Sequence, residues 1–144
     1  MTIDRLTDQP LAGELVGAEY EGWPSAVVDD FRTNAFNGNV GTRLLSQTDR
    51  VRIWEIRLAP GERVSAHRHV LDYFWTSITG GHSRQHTADG TTRQVSYRPG
   101  ETRHYTFGDG EYLLHDLENI GDSELVFSTV EFLDGRNLPL PLSE

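Results

Sequence analysis

The sequence is most informative at residues 60–69, which are Pro60-Gly61-Glu62-Arg63-Val64-Ser65-Ala66-His67-Arg68-His69. The Pro-Gly pair indicates a turn, and the residues after it predict a strand. Side chains two positions apart on a strand point to the same face, so His67 and His69 lie side by side while Arg68 faces the other way. Two imidazoles on one face are a natural beginning for a metal site.

A third histidine, His115, lies on a second predicted strand much later in the chain, within His115-Asp116-Leu117-Glu118-Asn119. Only a folded sheet would bring it next to the first pair, so the three positions together predict a β architecture as well as a site.

From residue 43 onward the chain alternates β-favouring segments with glycine turns. The clearest predicted strands are residues 50–58, 71–79, 112–117 and 125–133. Many short strands at even spacing, without a long 3.6-residue period, predict an all-β fold that is closed or built of two sheets. We expect residues 41–135 to form this domain. Residues 1–40 are predicted to be an irregular N-terminal arm, in which 26–31 forms a short helix or strand, and the proline-spaced residues 136–144 a tail over the surface.

The composition excludes several classes of function. The chain has 144 residues, no cysteine, and 13 basic residues that are all arginine. Without lysine there is no Schiff-base or pyridoxal chemistry, and without cysteine there are no disulfides, thiolate ligands or iron–sulfur clusters. A net charge of −9 argues against nucleic acid and anionic membranes as partners. We therefore expect a small-molecule ligand or substrate, or another copy of the chain, as the partner, and the absence of cysteine fits the expected cytoplasmic location.

The spacing of these residues resembles the two sequence motifs of the cupins, over about residues 44–133. Gly61, His67, His69 and Gly80 match the first motif, Gly-x5-His-x-His-x3or4-Glu-x6-Gly, with Tyr73 at the Glu position. The second motif, Gly-x5-Pro-x-Gly-x2-His-x3-Asn, is matched more loosely. Its matching residues are Gly100, Gly108, His115 and Asn119, with Thr106 at the Pro position and four extra residues before the histidine. The stretch from His67 to Tyr73 also resembles small single-domain bacterial cupins that carry Tyr at the Glu position. The resemblance implies a double-sheet jelly-roll β-barrel and a homodimer.

The resemblance further implies that His67, His69 and His115 hold one metal inside the barrel. The expected cofactor is one divalent transition metal, with iron, manganese, nickel or zinc as candidates; three imidazoles also suit copper. Tyr73 shares the parity of the two histidines and is a candidate catalytic residue. It would bind the metal as a phenolate, donate a hydrogen bond to a bound ligand, or simply pack in the interior. Histidines that only hydrogen-bond one another, without metal, are the alternative.

Several further residues are candidates with an open orientation. His104, on the strand before Gly108, is a second candidate catalytic residue, either inside the cavity or on the surface. His82 and His86 are expected to be solvated, and Asp72 to lie on the surface. Either Glu55 and Arg57 or the alternate residues Trp54 and Ile56 face the interior. The other residues considered for the interior are Arg52, Arg98, Glu131 and Trp75, with the three charged ones more commonly found on an outer face.

Two functions fit these observations. The first is a metal-dependent enzyme of isomerase, lyase or dioxygenase type that acts on a small polar metabolite inside the barrel. The second is a non-catalytic cupin, with or without a metal, that binds such a metabolite. The missing motif glutamate favours the second, and three histidines in register favour the first.

Overall fold

The computed structural model describes residues 3–143, and its regular structure there is almost entirely β. The elements are β1 (Arg5–Leu6), β2 (Glu14–Gly17), α1 (Ser25–Thr33), β3 (Arg43–Gln47), β4 (Val51–Leu58), β5 (Arg63–His69), β6 (Tyr73–Ser77), β7 (Gly81–His86), β8 (Thr92–Tyr97), β9 (Thr102–Tyr105), β10 (Glu111–Asn119) and β11 (Leu125–Phe132). The prediction of an all-β, double-sheet barrel is confirmed. In the described part of the chain no helix is long and apolar enough to cross a membrane.

The strands form two sheets whose neighbours are mostly distant in sequence. One sheet has the order β1-β10-β7-β8-β2, with β5 also paired to β10, and the other has the order β3-β4-β11-β6-β9. The chain therefore passes repeatedly from one sheet to the other, which is the connectivity of a jelly roll. The sheets enclose an interior whose largest apolar cluster is built from β4, β5, β8, β10 and β11.

Strand β4 shows how the sequence determines which face is inside. Trp54, Ile56 and Leu58 are buried, whereas Arg57 on the alternate face is exposed. All eight residues of β4 pair with β11, from Val51 opposite Phe132 to Leu58 opposite Leu125. The alternation of apolar and charged residues thus matches a strand with one face on the core. Glu55 and Arg57 belong to the outer face.

The N-terminal arm is more regular than predicted, because it packs onto the barrel. Strand β1 adds to β10 in parallel, and β2 adds to β8. Between β2 and β3, α1 follows Pro24 and buries Val27 and Phe31, one helical turn apart, against Ala66 and Leu114. An amphipathic stripe of this kind stabilises a short helix through packing rather than through its own propensity.

The C-terminal tail has no regular structure and is held over the barrel by side-chain hydrogen bonds. The Asn137 amide donates to the carbonyls of Val70 and Gly108 at 3.0 and 3.1 Å. Asn39 and Ser143 exchange two hydrogen bonds, of 2.8 and 3.1 Å.

Candidate metal centre

The structure brings the three predicted histidines together inside the barrel. His67 and His69 lie on β5, and His115 lies directly opposite His67 on β10. Their ring centroids are 4.7 Å apart for His67 and His115, 5.0 Å for His67 and His69, and 5.1 Å for His69 and His115. One nitrogen from each ring lies within 4.8 Å of the others. The intervening Arg68 faces the opposite side, where its guanidinium lies between the rings of Phe36 and Tyr112.

Hydrogen bonds fix the tautomer of two of these rings. His67 Nδ1 lies 2.8 Å from the carbonyl oxygen of Ser65, which can only accept, so Nδ1 carries the proton. His115 Nδ1 donates in the same way to Gln85 Oε1 at 3.1 Å. Their Nε2 atoms therefore keep a free lone pair. An outer hydrogen bond from the second ring nitrogen is the usual arrangement of metal-binding histidines.

The third ring and the burial of all three also fit a metal. His69 Nδ1 is buried and has no hydrogen-bond partner among the described residues. Burial lowers the pKa of His67, and it lowers the pKa values of His69 and His115 well below the ordinary range, where neighbouring histidines add to the effect. The rings are thus neutral, the form that binds metal. Three neutral, buried imidazoles with free nitrogens at this spacing suit a divalent transition metal.

Tyr73 reaches the same cavity from the other sheet. Strand β5 ends at His69 and β6 begins at Tyr73, so the chain changes sheets between the two residues. Their rings are nevertheless stacked, with centroids 4.0 Å apart and planes 10° from parallel. Burial raises the pKa of Tyr73 well above its ordinary value. Its side chain lines the cavity.

The cavity next to the histidines is small, and within the described part of the chain no aspartate, glutamate, lysine or arginine lines it. Its volume is about 40 Å³, counted as the space open to the centre of a water molecule, which is room for about three or four water-sized groups. Two residues of the N-terminal arm, Leu11 and Ala12, complete its wall. The other lining residues are Val40, Ile56, His67, His69, Tyr73, Trp75, Gln85, Tyr97, Tyr105, Leu113, His115, Leu117, Phe127 and Thr129.

Gln85 connects His115 to a second tyrosine of the cavity wall. Its Oε1 accepts from His115, and its Nε2 donates to Tyr97 Oη at 3.0 Å. Tyr97 Oη also shares a hydrogen bond of 2.8 Å with Ser83 Oγ. Neither Gln85 nor Tyr97 was predicted as a site residue. Strand alternation assigns Gln85 to one face of β7 and Tyr97 to one face of β8, but a single sequence does not indicate which face is inside the barrel.

Behind His115, on the side of the sheet that faces α1, lies a network of Asp30, Arg63, His86 and Asp116. Asp116 is fully buried and accepts from Arg63 Nε at 2.7 Å, from His86 N at 2.6 Å and from His86 Nδ1 at 2.8 Å. Arg63 also donates to Asp30 on α1 at 2.7 Å. The expectation that His86 is solvated is wrong, since this network and the ring of Trp23 bury it. His82 is exposed as predicted.

His104 does not belong to this centre. It is exposed, and its ring contacts Phe74 at a centroid distance of 5.2 Å on the outer face of β9. The alternation on β9 explains this, because the neighbouring Tyr105 takes the inward position. The prediction of His104 as a catalytic residue is therefore corrected. Arg57 and Arg98 are also exposed, whereas Trp75 lines the cavity as expected.

Glu131 and Arg52 are buried, contrary to the expectation for exposed strand faces. Glu131 lies opposite both Arg52 and Tyr73 in the sheet, and its Oε1 accepts from Trp54 Nε1 at 2.7 Å. Burial raises its pKa to about 7, against the opposing effects of Trp54 and Arg52. Asp72, expected at the surface, is half-buried and accepts from Phe107 N at 2.8 Å.

Comparison with solved structures gives relatives of the same fold. A cupin domain from Bordetella pertussis Tohama I is 27% identical with a TM-score of 0.55, over 62% of this chain and 88% of that one. A conserved protein with a double-stranded β-helix domain from Klebsiella pneumoniae is 20% identical with a TM-score of 0.53, over 74% of this chain and 87% of that one. A cupin family protein from Methanocaldococcus jannaschii is 22% identical with a TM-score of 0.51, over 62% of this chain and 76% of that one.

No protein-family model matches the sequence, and no curated protein matches it. The fold and the interior histidines nevertheless define a small double-stranded β-helix protein. The chain has the fold of the cupin superfamily, which its two sequence motifs predicted.

Proposed function

We propose that this protein is a metal-dependent cupin enzyme whose centre is held by His67, His69 and His115 and acts on a small polar metabolite. One observation carries the proposal. Three buried, neutral imidazoles converge, two of them with Nδ1 already donating to the protein and Nε2 free. A bound divalent metal would supply Lewis-acid polarisation of a carbonyl or carboxylate oxygen, or redox chemistry with O2 if it is iron.

The chain's own residues would then bind and enclose the substrate. Trp75 and Phe127 exclude water on the apolar side of the cavity. Tyr73 and Tyr97 offer hydroxyl groups on the polar side, and Gln85 keeps His115 in the tautomer that binds metal.

A non-catalytic cupin that binds a small metabolite is the second candidate. The observation that favours it is the absence of any aspartate, glutamate, lysine or arginine among the residues that line the described cavity. Such a cavity lacks the carboxylate general acid or base that many proton-transfer reactions use.

Elemental analysis of the purified, untagged protein tests the metal centre on which the first candidate depends. We expect about one equivalent of a transition metal in the wild type and in His104→Ala, and none in His67→Ala, with circular dichroism confirming the fold of each. His104→Ala is the matched control because it removes an exposed imidazole of the same barrel. Absence of metal in the wild type, including after incubation with iron, manganese, nickel or zinc, would refute the enzyme proposal and leave the metabolite binder.

A further inference from the structure

The charge of the cavity is unbalanced once a divalent ion is bound. Three neutral imidazoles contribute no charge, and none of the residues that line the cavity is acidic. The buried carboxyl group of Glu131 does not line the cavity, and its Oε1 accepts a hydrogen bond from Trp54 Nε1. Asp116, although adjacent to His115, is engaged by Arg63 and His86. The described lining therefore offers no carboxylate that could contact a divalent ion, and buried charge without a close partner is costly.

We propose that the centre takes a small oxyanion as its ligand, specifically a short-chain carboxylate of about the size of acetate, bound with Tyr73 as hydrogen-bond donor. The inference rests on the proposed function and narrows its substrate class from polar metabolites to anionic ones. A carboxylate supplies the negative charge that the cavity lacks, and it is the hard oxygen donor that divalent metals accept readily.

The size of the cavity limits the ligand as strongly as its charge does. The volume of about 40 Å³ admits about three or four water-sized groups. A metal ion would take about one of these water-sized places, and acetate, whose bonded atoms overlap, fits in the rest, whereas a sugar or a nucleotide far exceeds them. Apolar residues such as Leu113 and Leu117 line the cavity too, so a short aliphatic chain on the carboxylate finds a suitable surface.

Tyr73 is the residue that would contact the ligand. Its ring stacks on the ring of His69 with centroids 4.0 Å apart, and its side chain lines the cavity. A protonated phenol can donate a hydrogen bond to an oxyanion. Tyr97 is less available, since Gln85 and Ser83 already engage its oxygen.

The test uses the full chain loaded with Co²⁺, whose visible absorption reports changes in its ligands. Acetate and acetamide have the same shape but differ in charge, so they isolate the proposed recognition. We expect acetate to change the spectrum saturably and acetamide to bind at least tenfold more weakly. Tyr73→Phe should keep its cobalt and bind acetate about tenfold to a hundredfold more weakly, which is the range for loss of one hydrogen bond to a charged group.

Tyr20→Phe is the control, because it removes a hydroxyl from an exposed tyrosine that bonds to Ala88 outside the cavity. It should bind acetate like the wild type. Equal responses to acetate and acetamide, or no response to either in cobalt-loaded protein, would overturn the proposed oxyanion ligand and leave the proposed metal centre standing. Unchanged acetate binding in Tyr73→Phe would overturn the role of Tyr73. Failure to take up cobalt would instead refute the proposed metal centre, and the inference with it.

Discussion

Asp116 offers the sharpest test of what holds the metal-bearing strands in place. The substitution Asp116→Asn keeps the size of the side chain but removes its charge and replaces one acceptor oxygen with a donor. Three donors now converge on this carboxylate, at 2.6 to 2.8 Å. Whichever way the amide is turned, its NH2 group faces at least one N–H, because both carboxylate oxygens accept hydrogen bonds.

The expected cost follows from burial. Breaking a buried charge pair costs about 3–5 kcal/mol when the other charge is left without a partner. In Asp116→Asn, Arg63 retains a second partner, Asp30, at 2.7 Å, so we expect a loss at the lower end of this range, about 3 kcal/mol. For a domain of this size that corresponds to a fall in Tm of about 10 °C.

Thermal and urea unfolding of the chelator-treated protein would measure the effect without any contribution from bound metal. The control is Asp29→Asn on α1, where an exposed aspartate lies 3.8 Å from exposed Arg32. Exposed pairs of this kind contribute little, so we expect a change below about 0.5 kcal/mol. A loss in Asp116→Asn within about 1 kcal/mol of that control would refute the reasoning, because it would mean that the buried network adds nothing beyond a surface pair.

Three further predictions concern pH and metal affinity. The pKa of Glu131 is raised from 4.5 to about 7, so its ionisation favours unfolding as pH rises through that window. Relative to the wild type, Glu131→Gln should therefore gain about 3 kcal/mol in unfolding free energy between about pH 4 and pH 8, measured by urea titration. If the unfolding free energies of Glu131→Gln and the wild type differed by the same amount throughout this pH range, the prediction would be contradicted. Burial raises the pKa of Asp30, but hydrogen bonds from Ala66 N, Asn34 and Arg63 outweigh it and lower the pKa below the ordinary 3.8. The wild type should therefore lose stability as pH falls below about 4, and Asp30→Asn should show less of this loss in acid titrations followed by circular dichroism. Gln85→Leu removes the acceptor for His115 Nδ1 and should weaken metal binding about 10- to 100-fold in chelator competition, while Gln85→Glu keeps the acceptor and should bind more tightly than Gln85→Leu.

The parts of the fold that sequence predicted are those where local pattern and burial agree. On β4 the alternation of apolar and charged residues predicts the strand and separates its two faces, although it left open which face is inside. The turns at Gly61 and Gly100 require the positive φ angles of 86° and 85° that glycine adopts readily. The histidine pair on β5 could be placed on one face for the same reason. Finding His115 opposite His67 needed the family motif, because cross-strand register depends on the whole sheet.

The parts that sequence did not predict depend on distant contacts. Glu131 is buried because Trp54 on a neighbouring strand offers it a donor. His86 is buried because Asp116 accepts from it, and α1 forms because Ala66 and Leu114 cover its apolar stripe. None of these partners is near in sequence, and propensity alone favours the opposite result for a charged residue on a strand. Tyr73 shows a third case: strand parity gave the right face, although the chain changes sheets before reaching it.

That change of sheet between His69 and Tyr73 separates the centre into two parts that can be followed independently during folding. All three histidines belong to the sheet that contains β5 and β10, whereas Tyr73 belongs to the sheet that contains β6 and β11. Metal capture thus requires only the pairing of β5 with β10, while stacking of Tyr73 on His69 requires both sheets to close. In refolding experiments, cobalt absorption would time the first event. The difference in near-ultraviolet signal between the wild type and Tyr73→Phe would time the second, and the two together give the order in which the barrel is assembled.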